Sequence, residues 1–234
     1  MKKTVCVLSG ILIFLALATP AHSLTINDPW GPGAGELNLK DIWNAVLNDS
    51  FAGSSMDLYN TYGVGRDNPE LEWWWNQDET VIEAEVRYAG NAQSFGYRTK
   101  DGLEVTLADS IPMGITGTSL VFQPPKGAAF TWFERWDSGC SQGQWYANTL
   151  LNEDGKDHFV AFEVPASLFS DSDSFRLYML AFEDLSMGDA DYQDLVLFAR
   201  TAAPAPVPEP GTLGLLGIGL MGLGILKRKY FSRN

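Results

Sequence analysis

Between residues 81 and 88 the chain alternates, with Ile82, Ala84, Val86 and Tyr88 set against Glu83, Glu85 and Arg87. A period of two belongs to a strand with one face buried, because successive side chains leave a strand on opposite faces. Strand-like runs at 94–99, 103–107, 119–123, 129–134, 144–151, 158–164, 175–182 and 195–200 continue the pattern. Eight or nine short strands at this spacing predict a sandwich. Asp101-Gly102 and Asp154-Gly155 lie between such runs, where a tight hairpin turn needs positive φ, and Pro124-Pro125-Lys126-Gly127 marks another turn. One stretch has a different period: Leu37, Leu39, Ile42, Val46 and Leu47 recur close to helical spacing until Asn48-Asp49-Ser50 breaks it. No repeat of fixed period is visible, which argues against solenoids and propellers. The expected fold is mainly β, an antiparallel β-sandwich of jelly-roll-like form with one short N-terminal helix.

Both ends of the chain depart from this pattern. Lys2-Lys3 precede an apolar run over 5–18, and Ala21-His22-Ser23 supplies the small residues a signal peptidase reads. Residues 1–23 are therefore expected to be a signal peptide, with the mature chain starting at Leu24. At the other end Pro208, Glu209 and Pro210 are followed by an uncharged stretch over 211–226 and then by Lys227-Arg228-Lys229. Sixteen residues rise about 24 Å as a helix, slightly short of the ~30 Å hydrocarbon core. The segment can lodge in a membrane but makes a marginal permanent anchor. Glycines 211, 214, 217, 219, 222 and 224 would let a second helix approach closely, and the basic cluster would stay on the cytoplasmic side.

This tail resembles the PEP-CTERM sorting signal of Gram-negative bacteria that make exopolysaccharide, in which Pro-Glu-Pro, an apolar segment and a basic end follow in that order. The resemblance implies recognition and cutting by an exosortase, transient inner-membrane anchoring and release to the cell surface or extracellular matrix. The intervening chain divides into a Gly/Pro-rich leader and helix over 24–60, a sandwich over 61–200 and a stiff Ala/Pro linker over 201–206.

Charge narrows the function of that body. Of the 16 basic and 29 acidic residues, six basic and one acidic belong to the two ends, leaving 10 against 28, a net of −18. Such a surface repels nucleic acid and attracts divalent cations, so nucleic-acid binding is excluded. Cys140 is the single cysteine of the mature body. It can form no intramolecular disulfide, and is expected to be a buried small residue or else a thiol for an intermolecular bridge.

The densest acidic feature lies between the last two strand-like runs, where Glu183, Asp184, Asp189, Asp191 and Asp194 would crowd one loop. Like charges so close disfavour one another unless a cation sits among them. Calcium suits such a site because it takes 6 to 8 oxygen ligands in flexible geometry; the alternative is a solvated turn whose acids cap backbone N–H groups. The stretch Ala181-Phe182-Glu183-Asp184-Leu185 with Asp189, Asp191, Tyr192 and Asp194, taken with Asn91, Ser94-Phe95-Gly96-Tyr97 and 157–162, resembles a domain of unknown function common in secreted bacterial proteins. That family has Phe-Glu-Asp-Leu followed by Asp-x-Asp-Tyr/Phe-Asn-Asp before its last strand. The resemblance implies a β-rich extracellular domain and carries over no assigned enzyme activity, so it leaves the task open; Gln193 stands where Asn is usual.

Other candidates are weaker. The acidic turn over 152–157 fails as an EF-hand, since Lys156 would occupy a ligand position and Asp157 the required glycine; it is expected to be a hairpin turn. Trp73, Trp74 and Trp75 cannot all face a core from one strand. They offer either a platform for sugar rings or an aromatic core with a lid. His158 alone represents histidine in the mature body, which leaves no nitrogen-rich metal site and little support for a nucleophilic triad. The expected function is a non-enzymatic, exosortase-sorted surface or matrix protein associated with exopolysaccharide and biofilm and stabilised by calcium. The alternative is a carbohydrate-binding protein or a carbohydrate-active enzyme using a carboxylate pair.

Overall fold

The computed structural model describes residues 24–28, 35–64, 73–88, 90–116, 120–122, 128–168, 176–185 and 189–204. The signal-peptide segment and the tail from 205 onward, including Pro208, Glu209 and Pro210, lie outside them, as does the turn at 124–127. Among the described residues no helix is long and apolar enough to cross a membrane.

The predicted helix is α1, Leu39–Leu47. Asn38 caps its start by accepting from the Asp41 N–H, and Asn48 ends it in the left-handed region at φ 52°. It buries Leu39, Ile42 and Trp43, each worth roughly 1.5–3 kcal/mol of removal from water. A second helix, α2 (Ser55–Tyr62), was not expected. Its apolar spacing is poor, but Ser54 and Asp57 form a reciprocal capping box at its start, and it buries Leu58 and Tyr59.

Among the described residues there are eleven strands: β1 (Gly63–Val64), β2 (Trp74–Arg87), β3 (Ala92–Thr99), β4 (Glu104–Ala108), β5 (Gly114–Thr116), β6 (Leu120–Phe122), β7 (Ala129–Asp137), β8 (Gln142–Tyr146), β9 (Phe159–Val164), β10 (Leu177–Phe182) and β11 (Leu195–Pro204). All recorded pairings are antiparallel, in the order β1-β9-β10-β11-β2-β7-β3-β4, with β5 and β6 on β2 and β8 on β7. The long β2 joins two halves: one edge pairs with β11 from Arg87 to Trp74, and on the other edge Trp74 and Trp75 pair with Phe130 and Ala129 of β7. The halves face each other across a core containing Phe159, Tyr178, Leu180 and Leu197 from one side and Phe95, Phe130 and Trp132 from the other. This is the sandwich the alternation predicts.

A second core lies on the far side of β9, β10 and β11, where Phe162, Met179 and Phe198 meet Leu39, Ile42, Trp43, Leu58 and Tyr59. The helices therefore form a third layer, and every residue of β10 is buried because both of its faces are covered.

Three sequence expectations change. The strand expected over 144–151 stops at Tyr146; the Asn148 side chain then accepts from the Leu150 N–H and caps a 3-10 turn, Thr149–Leu151. Asp154-Gly155 makes a turn with Gly155 at φ 66°, yet it leads from one half of the sandwich to the other and closes no hairpin. Strand β11 continues to Pro204, so residues 201–204, expected as linker, include Ala202, Ala203 and Pro204 paired with Asn76, Trp75 and Trp74.

Candidate metal centre

Strand β10 ends at Phe182 and β11 begins at Leu195, and these two residues are cross-strand partners. The acidic loop therefore closes the end of the most buried hairpin in the fold. Glu183 and Asp184 are buried, Asp191 is buried, and Asp189 is exposed. Two groups of three carboxylates form, with ligand oxygens within 4.8 Å of one another: Glu183, Asp184 and Asp194 in one, Glu183, Asp189 and Asp191 in the other. The structure thus brings all five sequence-predicted acids to one place.

Local hydrogen bonds set their positions. The Asp191 and Tyr192 N–H groups donate to Glu183 Oε2 at 3.1 and 3.3 Å. This bends the loop sharply, with Ala190 and Tyr192 both in the left-handed region at φ 53° and 57°. The Asp184 N–H donates to Asp194 Oδ2 at 2.8 Å, and Asp184 Oδ2 accepts from Asn91 and Gln93 at 2.9 and 3.2 Å. Gln193 donates from its backbone and its side chain to Asp191, and its side chain also reaches Glu36. The N-terminal segment straps the outside, where Asn27 donates from its N–H to the Ala190 carbonyl and from its amide to that of Asp189.

Behind the loop, His158 and Trp145 support its backbone. The His158 Nδ1 lies 3.0 Å from the Glu183 carbonyl, which can only accept, so Nδ1 carries the proton. Its Nε2 is 3.0 Å from Asp154 Oδ2. The ring stacks on Trp145 at 3.8 Å and 3°, and the Trp145 indole N–H donates to the Asp184 carbonyl at 2.6 Å. His158 is thus a buried support in contact with the loop. The turn over 152–157 reaches the centre through Asp154, beside His158, and through Asp157, whose carbonyl accepts from the Tyr192 hydroxyl.

A sixth carboxylate, Glu134, was not expected. It sits on β7 directly between Phe95 on β3 and Trp145 on β8, fully buried, and both of its oxygens lack a hydrogen-bond partner among the described residues. Burial, then the charges of Asp184, Asp194 and Glu183, push its pKa well above the ordinary carboxylate value. The pattern Phe130, Trp132, Glu134 is the signal that could have found it: the third member of an inward-facing series is an acid.

The loop acids are driven the same way. Burial and the Asp189 charge push Glu183 up to about 8, burial lifts Asp191 to about 6, and burial with the charges of Asp184 and Glu183 lifts Asp194 to about 9. Asp184 is raised by burial despite its amide donors. Glu183 Oε1, Gln93 Oε1 and Gln193 Oε1 are buried and unpartnered among the described residues. Oxygens without donors, collected around carboxylates that burial disfavours, form a set that a hard cation with oxygen preference satisfies and that offers no nitrogen or sulfur.

The tryptophan triplet does not gather on one face. Trp74 is buried in the sandwich core, Trp73 is half-buried beneath the Lys100 ammonium at 4.9 Å, and the Trp75 side chain lies outside the described residues. Cys140, expected to be a buried small residue or else a thiol for an intermolecular bridge, is exposed in the turn between β7 and β8, where Ser138 and Ser141 close the loop.

Residues 206–229 match the family described as the PEP-CTERM protein-sorting motif. The chain therefore carries a signal for export and sorting. No curated protein matches the chain. Among solved structures, the chain is similar to the C-terminal domain of the BC2L-C lectin from Burkholderia cenocepacia, at 11% identity and a TM-score of 0.35. It is also similar to the Ralstonia solanacearum high-affinity mannose-binding lectin, at 14% and 0.32. Each comparison covers 55% of this chain and 94% of the other. At these scores the likeness carries no argument about what this chain binds.

Proposed function

We propose that the chain is a non-enzymatic protein of the cell surface or extracellular matrix, cut by an exosortase after transient anchoring in the inner membrane. In this reading it works among extracellular polysaccharide, and its sandwich is held closed by calcium in the acidic loop. The observation that carries the reading is the set of buried carboxylates at the β10–β11 turn, with Glu183 Oε1 unpartnered in a body of net charge −18. Calcium at a hundredfold excess over its Kd would stabilise the folded state by roughly 2.7 kcal/mol. At about 2–4 °C per kcal/mol for a domain of this size, that is roughly 5–10 °C of melting temperature.

Thermal melts of the exported protein in millimolar calcium, in magnesium and in chelator at matched ionic strength test this. Calcium should raise the midpoint by that amount and magnesium by less, because magnesium gives up water reluctantly. Coincident curves would reduce the loop to a solvated turn. Intact mass of protein from a native host should place the new C-terminus near residues 207–211; retention of Asn234 would refute cleavage.

One observation supports a second reading, carbohydrate binding. A cleft of about 570 Å³ is lined by Ser94, Asp109, Trp136, Asp137 and Gln144, among others. The half-buried Trp136 ring lies against Gly143, where any side chain would meet the indole at 2.6 Å. Trp136→Ala should weaken retention on the producer's polysaccharide if this cleft holds sugar, and the polymer's size distribution should stay unchanged if no hydrolysis occurs.

A further inference from the structure

Opposite β11, the long β2 uses its other edge three times: Glu85 to Arg87 pair with β5, Thr80 to Ile82 with β6, and Trp74 and Trp75 with β7. Strand β7 is flanked in turn by β3 and β8, and β6 has β4 nearby. Among the described residues β5 pairs with no strand beyond β2. A side chain added at Gly114, its first residue, would meet nothing within 4 Å.

An open strand edge is a template for another chain, and folded proteins shield such edges with charge, bulges or a covering segment. Here the edge carries no charge: residues 110–125, between Asp109 and Lys126, contain no ionisable side chain. Met113, Ile115 and Val121 are 60%, 51% and 58% exposed. They are three of the six large apolar side chains exposed among the described residues, gathered within nine positions of sequence. Alternation sets Met113 and Ile115 on one face. We propose that β5 pairs antiparallel with β5 of a second copy of this chain, about a two-fold axis at Ile115, so that one sheet continues through both copies. This is independent of the calcium and carbohydrate readings above.

Charge selects the occupant. A body of net charge −18 repels its own copies. A two-fold interface brings the same patch of both copies together, so a charged edge would set like charges opposite one another, which destabilises a strand pair. An edge without charge escapes that cost. A cationic partner would instead be matched by an acidic edge, for which this body has acids in excess. The antiparallel pairing also fixes a distance: residues directly opposite have Cα atoms about 4.5–5.5 Å apart, inside the range of about 4.4–6.8 Å that a disulfide spans.

Light scattering of the exported, processed protein in reductant should give the mass of two chains; the reductant removes any bridge through Cys140. Added salt should tighten the association, because it screens repulsion between the copies. Ile115→Lys and Val121→Lys should each weaken it at least tenfold, whereas Leu150→Lys, at a side chain 75% exposed on the 3-10 turn after β8, should leave it unchanged. In a Cys140→Ser background, Ile115→Cys should yield a disulfide-linked dimer on mild oxidation and Leu150→Cys should not. That cross-link decides the matter should a lysine variant fail to fold. A wild-type mass of one chain across the micromolar range overturns the proposal, as does a dimer that reductant dissolves. A dimer that survives Ile115→Lys, or Ile115→Cys copies that do not cross-link, removes the interface from β5.

Discussion

Strand β7 carries Glu134 and Arg135 side by side, and the two faces they enter treat carboxylates in opposite ways. On the outer face Glu104 accepts from Arg135 at 2.7 Å, from Tyr146 at 2.5 Å and from Gln144 at 3.3 Å, with Arg98 at 3.6 Å. Burial pushes Glu104 up, but these donors and the Arg135 charge outweigh it, and its pKa lies below the ordinary value. On the inner face Glu134 has no donor at all among the described residues, and its pKa is raised. The same chain supplies counter-charge from its own side chains at the surface and none in the pocket. In the proposed centre the compensating charge arrives from outside as an ion.

The largest consequence of this contrast is a pH dependence that calcium should abolish. In chelator, Glu183 and Asp194 titrate near 8 and 9 in the folded state against roughly 4 unfolded. The folded chain then holds the extra protons, so the contribution of these two groups to stability is fully present below about pH 4 and is lost as pH rises through about 8 and 9. Each proton so held contributes a slope of about 1.4 kcal/mol per pH unit, or roughly 3–6 °C. Melting curves from pH 5 to 9 should slope downward in chelator and flatten in calcium; equal slopes in both would break the comparison.

A smaller effect, but one of changing sign, is expected from Glu134→Gln. Without calcium it replaces a buried, partnerless carboxyl that burial keeps protonated with a group that never ionises, and should stabilise the fold by roughly 1–3 kcal/mol, increasingly as the pH rises. With calcium it should lower the midpoint relative to wild type. Stabilisation under both conditions would mean that Glu134 is simply a protonated core residue. Glu104→Gln should cost only about 0.2–1 kcal/mol, as exposed ion pairs do, with the same value in calcium and in chelator. A calcium-dependent cost there would show that the two faces are coupled.

The strands and the acidic loop were legible because their signals are local: alternation over 81–88, and five acids between two apolar runs. The pocket's inner wall was not, because Glu134, Gln93 and Trp145 come from three strands and meet the loop only through pairing. Nothing within 129–137 marks its acid as different from a surface one except its phase with Phe130 and Trp132. Helix α2 escaped because its stability comes from a capping box and from Tyr59 packed edge-on to Phe162 at 5.7 Å, not from a clean apolar stripe. Cys140 was misplaced because composition alone favours burial, while its position at a strand-to-strand turn exposes it.

The position of β11 also orders events in time. It is the last strand among the described residues, yet it lies between β10 and β2 and pairs with both. A chain threaded outward from its N-terminus can pair β7 with β2, β3 and β8, but cannot join β10 to β2 until residues 195–204 have emerged. The sorting motif begins at residue 206, immediately behind that strand. Pro204 pairs with Trp74 and the motif begins two residues later, so any grip on the motif is a grip on the strand that joins β10 to β2.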